Sequence, residues 1–164
     1  MKKITTLFCL FILMTKGFAQ EINIPQDIKL KSKDDFKKSE ALLLKSIDWY
    51  LNTPLSQEPA KRKEISTFAI KWMTGSPLVS IELVPGIVPM DCAECLMAFL
   101  GGWTKYSLEN NYSKDKIEGA LAGLESTIVF YQKNKTELGK KSDIEKLIKQ
   151  KEKGKLRKYV ESKF

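Results

Sequence analysis

Residues 91–132 read DCAECLMAFLGGWTKYSLENNYSKDKIEGALAGLESTIVFYQ. Cys95, Leu96, Phe99, Trp103 and Tyr106 recur at helical spacing, and so do Ile117, Leu121, Leu124, Ile128 and Tyr131. The stretch therefore predicts two amphipathic helices, the first opened by an Asp91-to-Glu94 capping pattern and the second starting near Ser113. Gly101 and Gly102 sit inside the first helix, where each glycine costs about 1 kcal/mol of helix propensity relative to alanine. A helix that keeps them is packed closely on a neighbour or bent there. Gly119 and Gly123 stand four residues apart on the second helix, a spacing that lets two backbones approach closely inside a domain.

Working outward, Ser32-Lys33-Asp34-Asp35 is a capping signature for a helix that carries Phe36, Leu43, Leu44, Ile47, Tyr50 and Leu51 and ends near Asn52, ahead of Pro54. A further helix from about Ser56, with Pro59 in its first turn, carries Ile65, Phe68, Ala69, Trp72 and Met73 as far as Gly75 and Pro77. Between Leu78 and Val84 the period changes to two, with Val79, Ile81 and Leu83 on one side, and Pro85-Gly86 turns the chain before Ile87 and Val88. This segment is either a short hairpin or an extended connector across the helices. Ser142 to Glu145 caps another helix with Ile144, Leu147 and Ile148 inward, and Leu156, Tyr159 and Val160 form a last short turn after Gly154. The expected fold class is all-α: five to six helices in one compact bundle, with one short extended segment or hairpin. Leu44, Ile47, Phe68, Trp72, Phe99, Trp103, Leu121, Leu124 and Ile128 form the expected core.

The chain has 164 residues, with 28 basic and 20 acidic side chains, a net charge of +8 and no histidine. Lys2 and Lys3 precede the apolar run Leu7 to Met14, and Gly17 and Ala19 are small residues at the positions signal peptidase reads. Residues 1–19 thus read as a secretory signal peptide, and 20–164 as one helical domain whose first residues, to about Lys31, form a polar, mobile lead. Cleavage after Ala19 removes three lysines and Cys9, leaving a net charge of +5 and two cysteines. No later segment reaches the roughly 20 apolar residues of a membrane span, so the product is expected to be periplasmic or secreted.

Without imidazole, histidine-based hydrolase triads, histidine-ligated zinc and c-type haem attachment are excluded. The pair Cys92 and Cys95 opens the third helix, where a first thiol is placed to become a thiolate. In an oxidising compartment the pair reads as a disulfide, with a catalytic dithiol and two buried free thiols as the other readings. Two thiols are too few ligands for structural zinc, and nothing requires a metal or a cofactor. Asp34 with Asp35, and Glu40 with Asp48, read as a helix cap and a solvated face.

Residues 133–164 carry 12 basic and 5 acidic side chains, a net +7, against −2 for residues 20–132. Lys149, Lys151, Lys153, Lys155, Arg157 and Lys158 are the candidate contacts to an anionic surface. The bland alternative is a solvated face. Export and the scarcity of arginine argue against nucleic acid as a partner.

Cys95-Leu-Met-Ala-Phe-Leu-Gly-Gly-Trp-Thr-Lys-Tyr106, Gly119-Ala-Leu-Ala-Gly-Leu124, Phe130-Tyr-Gln-Lys-Asn134 and Gly154-Lys-Leu156 together resemble a pattern in small exported helical proteins of the Gram-negative envelope. The chain is also similar to small disulfide-bearing periplasmic immunity proteins and acid-stress chaperones. Those proteins use a disulfide to join separate helices, whereas Cys92 and Cys95 lie within one turn. The resemblance implies an exported, non-enzymatic helical binding protein, its partner a protein or an anionic envelope component. The alternative is a thiol–disulfide redox protein using Cys92 and Cys95. Far-ultraviolet circular dichroism is expected to be dominated by helix, and a spectrum with roughly a third or more strand would overturn the assignment.

Overall fold

The computed structural model describes residues 22–164, which form seven helices and no strand. The signal-peptide reading of residues 1–19 lies outside the described residues. The extra helix beyond the five or six expected is a single turn, α5 (Lys135–Leu138).

Helix α1 (Lys33–Asn52) starts as its sequence requires. The Ser32 hydroxyl accepts from the Asp35 amide at 3.2 Å and the Asp35 carboxylate accepts from the Ser32 amide at 3.0 Å. Helix α2 (Pro59–Gly75) starts at Pro59, later than expected, because a turn in which the Gln57 amide donates to the Pro54 carbonyl uses up the preceding residues. At one end of this pair the buried Trp72 indole donates to the Ser39 hydroxyl at 2.9 Å. At the other, Arg62 of α2 donates to the carbonyls of Tyr50 (3.2 Å), Thr53 (2.6 Å) and Pro54 (3.1 Å). The start of α1 therefore meets the end of α2, and the pair is antiparallel. Arg62 is buried, and its guanidinium lies 4.7 Å from the Tyr50 ring and 5.4 Å from that of Trp49. It satisfies carbonyls that the end of α1 leaves without helical partners, an interaction absent from the sequence-based expectation.

The lead expected to be polar and mobile is instead packed: Ile22 and Ile24 are buried against α1 and α2, with Ile28 and Leu30 partly buried beside them. Burial of these apolar side chains outweighs the polar character of their neighbours.

The segment from Leu78 to Val84 is an extended connector, which corrects the hairpin alternative. The amides of Ile87 and Val88 both donate to the Val84 carbonyl, so the chain closes a tight turn after Pro85-Gly86 and forms no ladder. Leu78 and Val79 pack into the α1–α2 core while Ile87 and Val88 pack with α3 and α4, and Leu83 is exposed.

Helix α3 (Ala93–Glu109) is capped by Cys92 and not by Asp91, and α4 (Lys116–Lys133) by Asp115 and not Ser113. The Asp115 carboxylate accepts from the amides of Ile117 and Glu118, both at 3.0 Å, which a serine two residues earlier could not reach. The glycines of these helices lie at their crossing. A methyl group on Gly102 would fall against the Ala122 carbonyl and the Ser126 side chain, one on Gly123 would meet Phe99, and one on Gly119 would meet the Trp103 indole. Gly101 faces the other way, onto Ile47 of α1. Of the two sequence readings, close approach is the observed one. The expected core residues are buried apart from Leu44 and Leu121, which are half-buried; Leu43 takes the inward place on α1.

Helix α6 (Ser142–Glu152) has Lys141 as its N-cap, without a side-chain cap bond, so Ser142 is the first helical residue and not the cap. With α7 (Leu156–Glu161) it places Ile144, Leu147, Leu156 and Val160 in the interior. None of the described helices is long and apolar enough to cross a membrane.

Gly102→Ala is expected to lower stability in urea unfolding by about 1–3 kcal/mol, because the added methyl meets a backbone carbonyl that cannot swing aside. Lys149→Ala and Lys153→Ala should stay within about 0.5 kcal/mol of the parent. Comparable losses at all three positions would contradict the crossing described.

Candidate functional site

Cys92 has extended backbone geometry at the end of the connector, and its Sγ accepts from the Cys95 amide at 3.2 Å, so a sulfur takes the capping place usually held by oxygen. Cys92 and Cys95 form a disulfide, with the sulfurs 1.97 Å apart. Cys95 is fully buried and Cys92 is 4% exposed. Tyr131 of α4 and Ile144 of α6 pack on the pair, with Leu138 and Ile148 at the edges. The first helical turn thus presents a covered bond and no accessible thiolate.

A polar cluster closes over this core. The Tyr131 hydroxyl donates to Glu145 at 2.8 Å and accepts from the Lys141 amide at 3.1 Å. Lys135 from α5 reaches Glu145 at 2.5 Å, and the Lys141 ammonium donates to the Asp91 carbonyl at 3.2 Å. Hydrogen bonds from Lys135 and then Tyr131 hold the Glu145 carboxyl below the ordinary glutamate range, and the same contact with Glu145 raises Lys135. Sequence reading took Glu145 as part of a cap and Tyr131 as an apolar-face residue. The one available signal was the phenol itself, because a buried tyrosine hydroxyl requires a partner.

The six basic candidates are all exposed and lie on α6, α7 and the turn between them. They do not act as one uniform patch. Arg157 is 2.7 Å from Glu118 and Lys151 is 3.6 Å from Glu125, both carboxylates of α4. These pairs flank a cleft of about 410 Å³ whose walls include Tyr106, Leu121 and Leu156. Lys149, Lys153, Lys155 and Lys158 have no ion-pair partner among the described residues. The cationic surface therefore resolves into two lysine or arginine residues that fasten the tail to α4 and four that face solvent.

Three of the four carboxylates of α1 also have structural partners. Glu40 accepts from the Tyr112 hydroxyl at 3.1 Å, and Asp48 pairs with Lys105 of α3, raising the lysine through that hydrogen bond. Asp35 caps its own helix.

Comparison of the chain with protein-family models, curated proteins and solved structures found no match.

The depressed carboxyl of Glu145 sets a pH dependence. Its contribution to stability is present above the unfolded value of about 4.3 and is lost as pH falls through the lower folded value. Lys135, shifted upward, contributes below about 10.4 and loses its contribution only as the solution becomes more alkaline than that. In thermal unfolding, Glu145→Gln should melt below the parent by a constant interval from neutral pH down to about pH 5, and the interval should shrink in more acid solution. An interval that does not change with pH would mean the carboxylate is not held as described.

Proposed function

We propose that this chain is an exported, non-enzymatic helical bundle that acts by binding, and that the outward lysines of α6 and α7 are its contact with an anionic envelope component. The observation that carries the reading is the division among the basic residues. Lys149, Lys153, Lys155 and Lys158 face solvent without an ion-pair partner among the described residues, on a segment anchored by the buried Ile144, Leu147, Leu156 and Val160. Their charge is displayed on a fixed surface instead of a free arm. Such a surface attracts anionic head groups or phosphates over a Debye length of about 8 Å at physiological ionic strength. The −2 sum of residues 20–132 leaves the tail as the source of positive field.

The alternative, a thiol–disulfide enzyme attacking through Cys92, requires a low-pKa thiolate open to its substrate. The burial of Cys92 and Cys95 weighs against it.

Replacing Lys149, Lys153, Lys155 and Lys158 by glutamate tests the proposal while sparing Lys151 and Arg157, which pair with α4. The parent should bind vesicles containing anionic phospholipid or lipopolysaccharide at low salt, and its affinity should fall steeply toward physiological salt. The variant should retain the parent's circular dichroism and lose this binding. Undiminished binding by the folded variant, or none by the parent, would refute the proposal.

A further inference from the structure

We propose that the segment from α5 through α6 is a lid coupled to the Cys92–Cys95 bond: closed, it shields the disulfide, and reduction of the disulfide loosens it. Three of the apolar side chains around the sulfurs, Leu138, Ile144 and Ile148, belong to this segment. The fourth, Tyr131, is its anchor on α4 and binds both Glu145 and the Lys141 amide. The Lys141 ammonium bonds the Asp91 carbonyl, so the lid also grips the residue next to Cys92. The grip on the disulfide is therefore apolar in the middle and polar at both margins.

The chemistry makes the coupling reciprocal. Reduction by a dithiol begins when its thiolate attacks one Sγ in line with the sulfur–sulfur bond, which expels the other cysteine as a thiolate. The reductant's second thiolate then displaces the first cysteine, the reductant closes to a cyclic disulfide, and two electrons and two protons end on Cys92 and Cys95. With Cys95 fully buried and Cys92 4% exposed, the first attack needs the lid to move. Afterwards two thiols, each with an added hydrogen and no bond drawing the sulfurs together, occupy a site that fully buried Tyr131 and Ile144 already line. Added bulk in a packed interior displaces what surrounds it, and the partly buried neighbours of the pair, Leu138 and Ile148, both belong to the lid. A closed site packed around the bonded sulfurs stabilises the oxidised protein relative to the reduced one, and by linkage reduction disfavours the closed lid to the same extent.

The test uses purified protein, oxidised or treated with dithiothreitol and then held reduced. Hydrogen exchange read by mass spectrometry should show amides of α6 exchanging about tenfold faster in the reduced protein, with α1 and α2 unchanged. Equal exchange of α6 in the two states overturns the coupling. The rate at which dithiothreitol reduces the folded protein, followed by quenching with an alkylating agent, should be at least about tenfold below that of the urea-unfolded chain. It should rise in Ile144→Ala and, should that variant fail to fold, in Tyr131→Phe, which keeps the ring and removes the bonds to Glu145 and Lys141. Folded protein reduced as fast as unfolded chain overturns the shielding. Neither measurement involves an anionic surface, so they stand or fall separately from the vesicle experiment.

Discussion

The backbone of α3 lies against that of α4 because glycine is present on both sides of their crossing, and the rest of the molecule is arranged around that contact. Gly102 leaves room for the Ala122 carbonyl, and Gly119 and Gly123 leave room for Trp103 and Phe99. Gly101, one residue earlier, turns the opposite side of α3 to Ile47, so a single glycine pair seats α3 against two helices at once. Thr127, one turn beyond Gly123, donates to the carbonyls of Gly123 and Cys95. Tyr131, one turn further, then reaches the disulfide and the start of α6. Four-residue steps along α4 thus connect the helix crossing to the cysteine pair and to the base of the lid.

Features set by neighbours in sequence were legible in advance. The Ser32–Asp35 cap and the end of α1 before Pro54 follow from local backbone chemistry, and the spacing of Gly119 and Gly123 pointed to a close approach of two backbones, while Gly101 and Gly102 left close packing and a bend both open. The tail's inward residues were legible from their spacing, and its placement against the other helices was expected from them. What escaped depends on partners distant in sequence. Arg62 completes the end of another helix, and Asn134 accepts the Leu55 amide 79 positions away. No periodicity marks either residue. The hairpin alternative failed for a related reason: the alternation in Val79–Leu83 describes which side chains can face inward, while a ladder also needs a second extended segment in register.

The candidate site was legible as a list of residues and not as an arrangement. Two thiols separated by two residues can form a bond, but only the tertiary packing decides that Ile144 covers it. A cluster of lysines reads as one basic face until Glu118 and Glu125 are brought beside Arg157 and Lys151. Exposed pairs of this kind contribute little stability each, roughly 0 to 1 kcal/mol. Their effect here is on the shape of the field, which is cancelled next to α4 and left intact on the outward side.

The covering of the disulfide also bears on the order of events during biogenesis. The helices that form the glycine crossing are adjacent in the chain, and contacts of short sequence separation form early because little loop-closure entropy opposes them. The lid's anchor is just as local, since Tyr131 bonds Glu145 14 positions away and the Lys141 amide 10 positions away. With Cys95 fully buried in the closed structure, an oxidant reaches the pair either before Ile144 and Ile148 settle or through the same opening of the lid that admits a reductant. Trapping free thiols by alkylation during refolding separates the two routes, because late-lingering reactive cysteines in chains whose α6 amides are already protected mark the second.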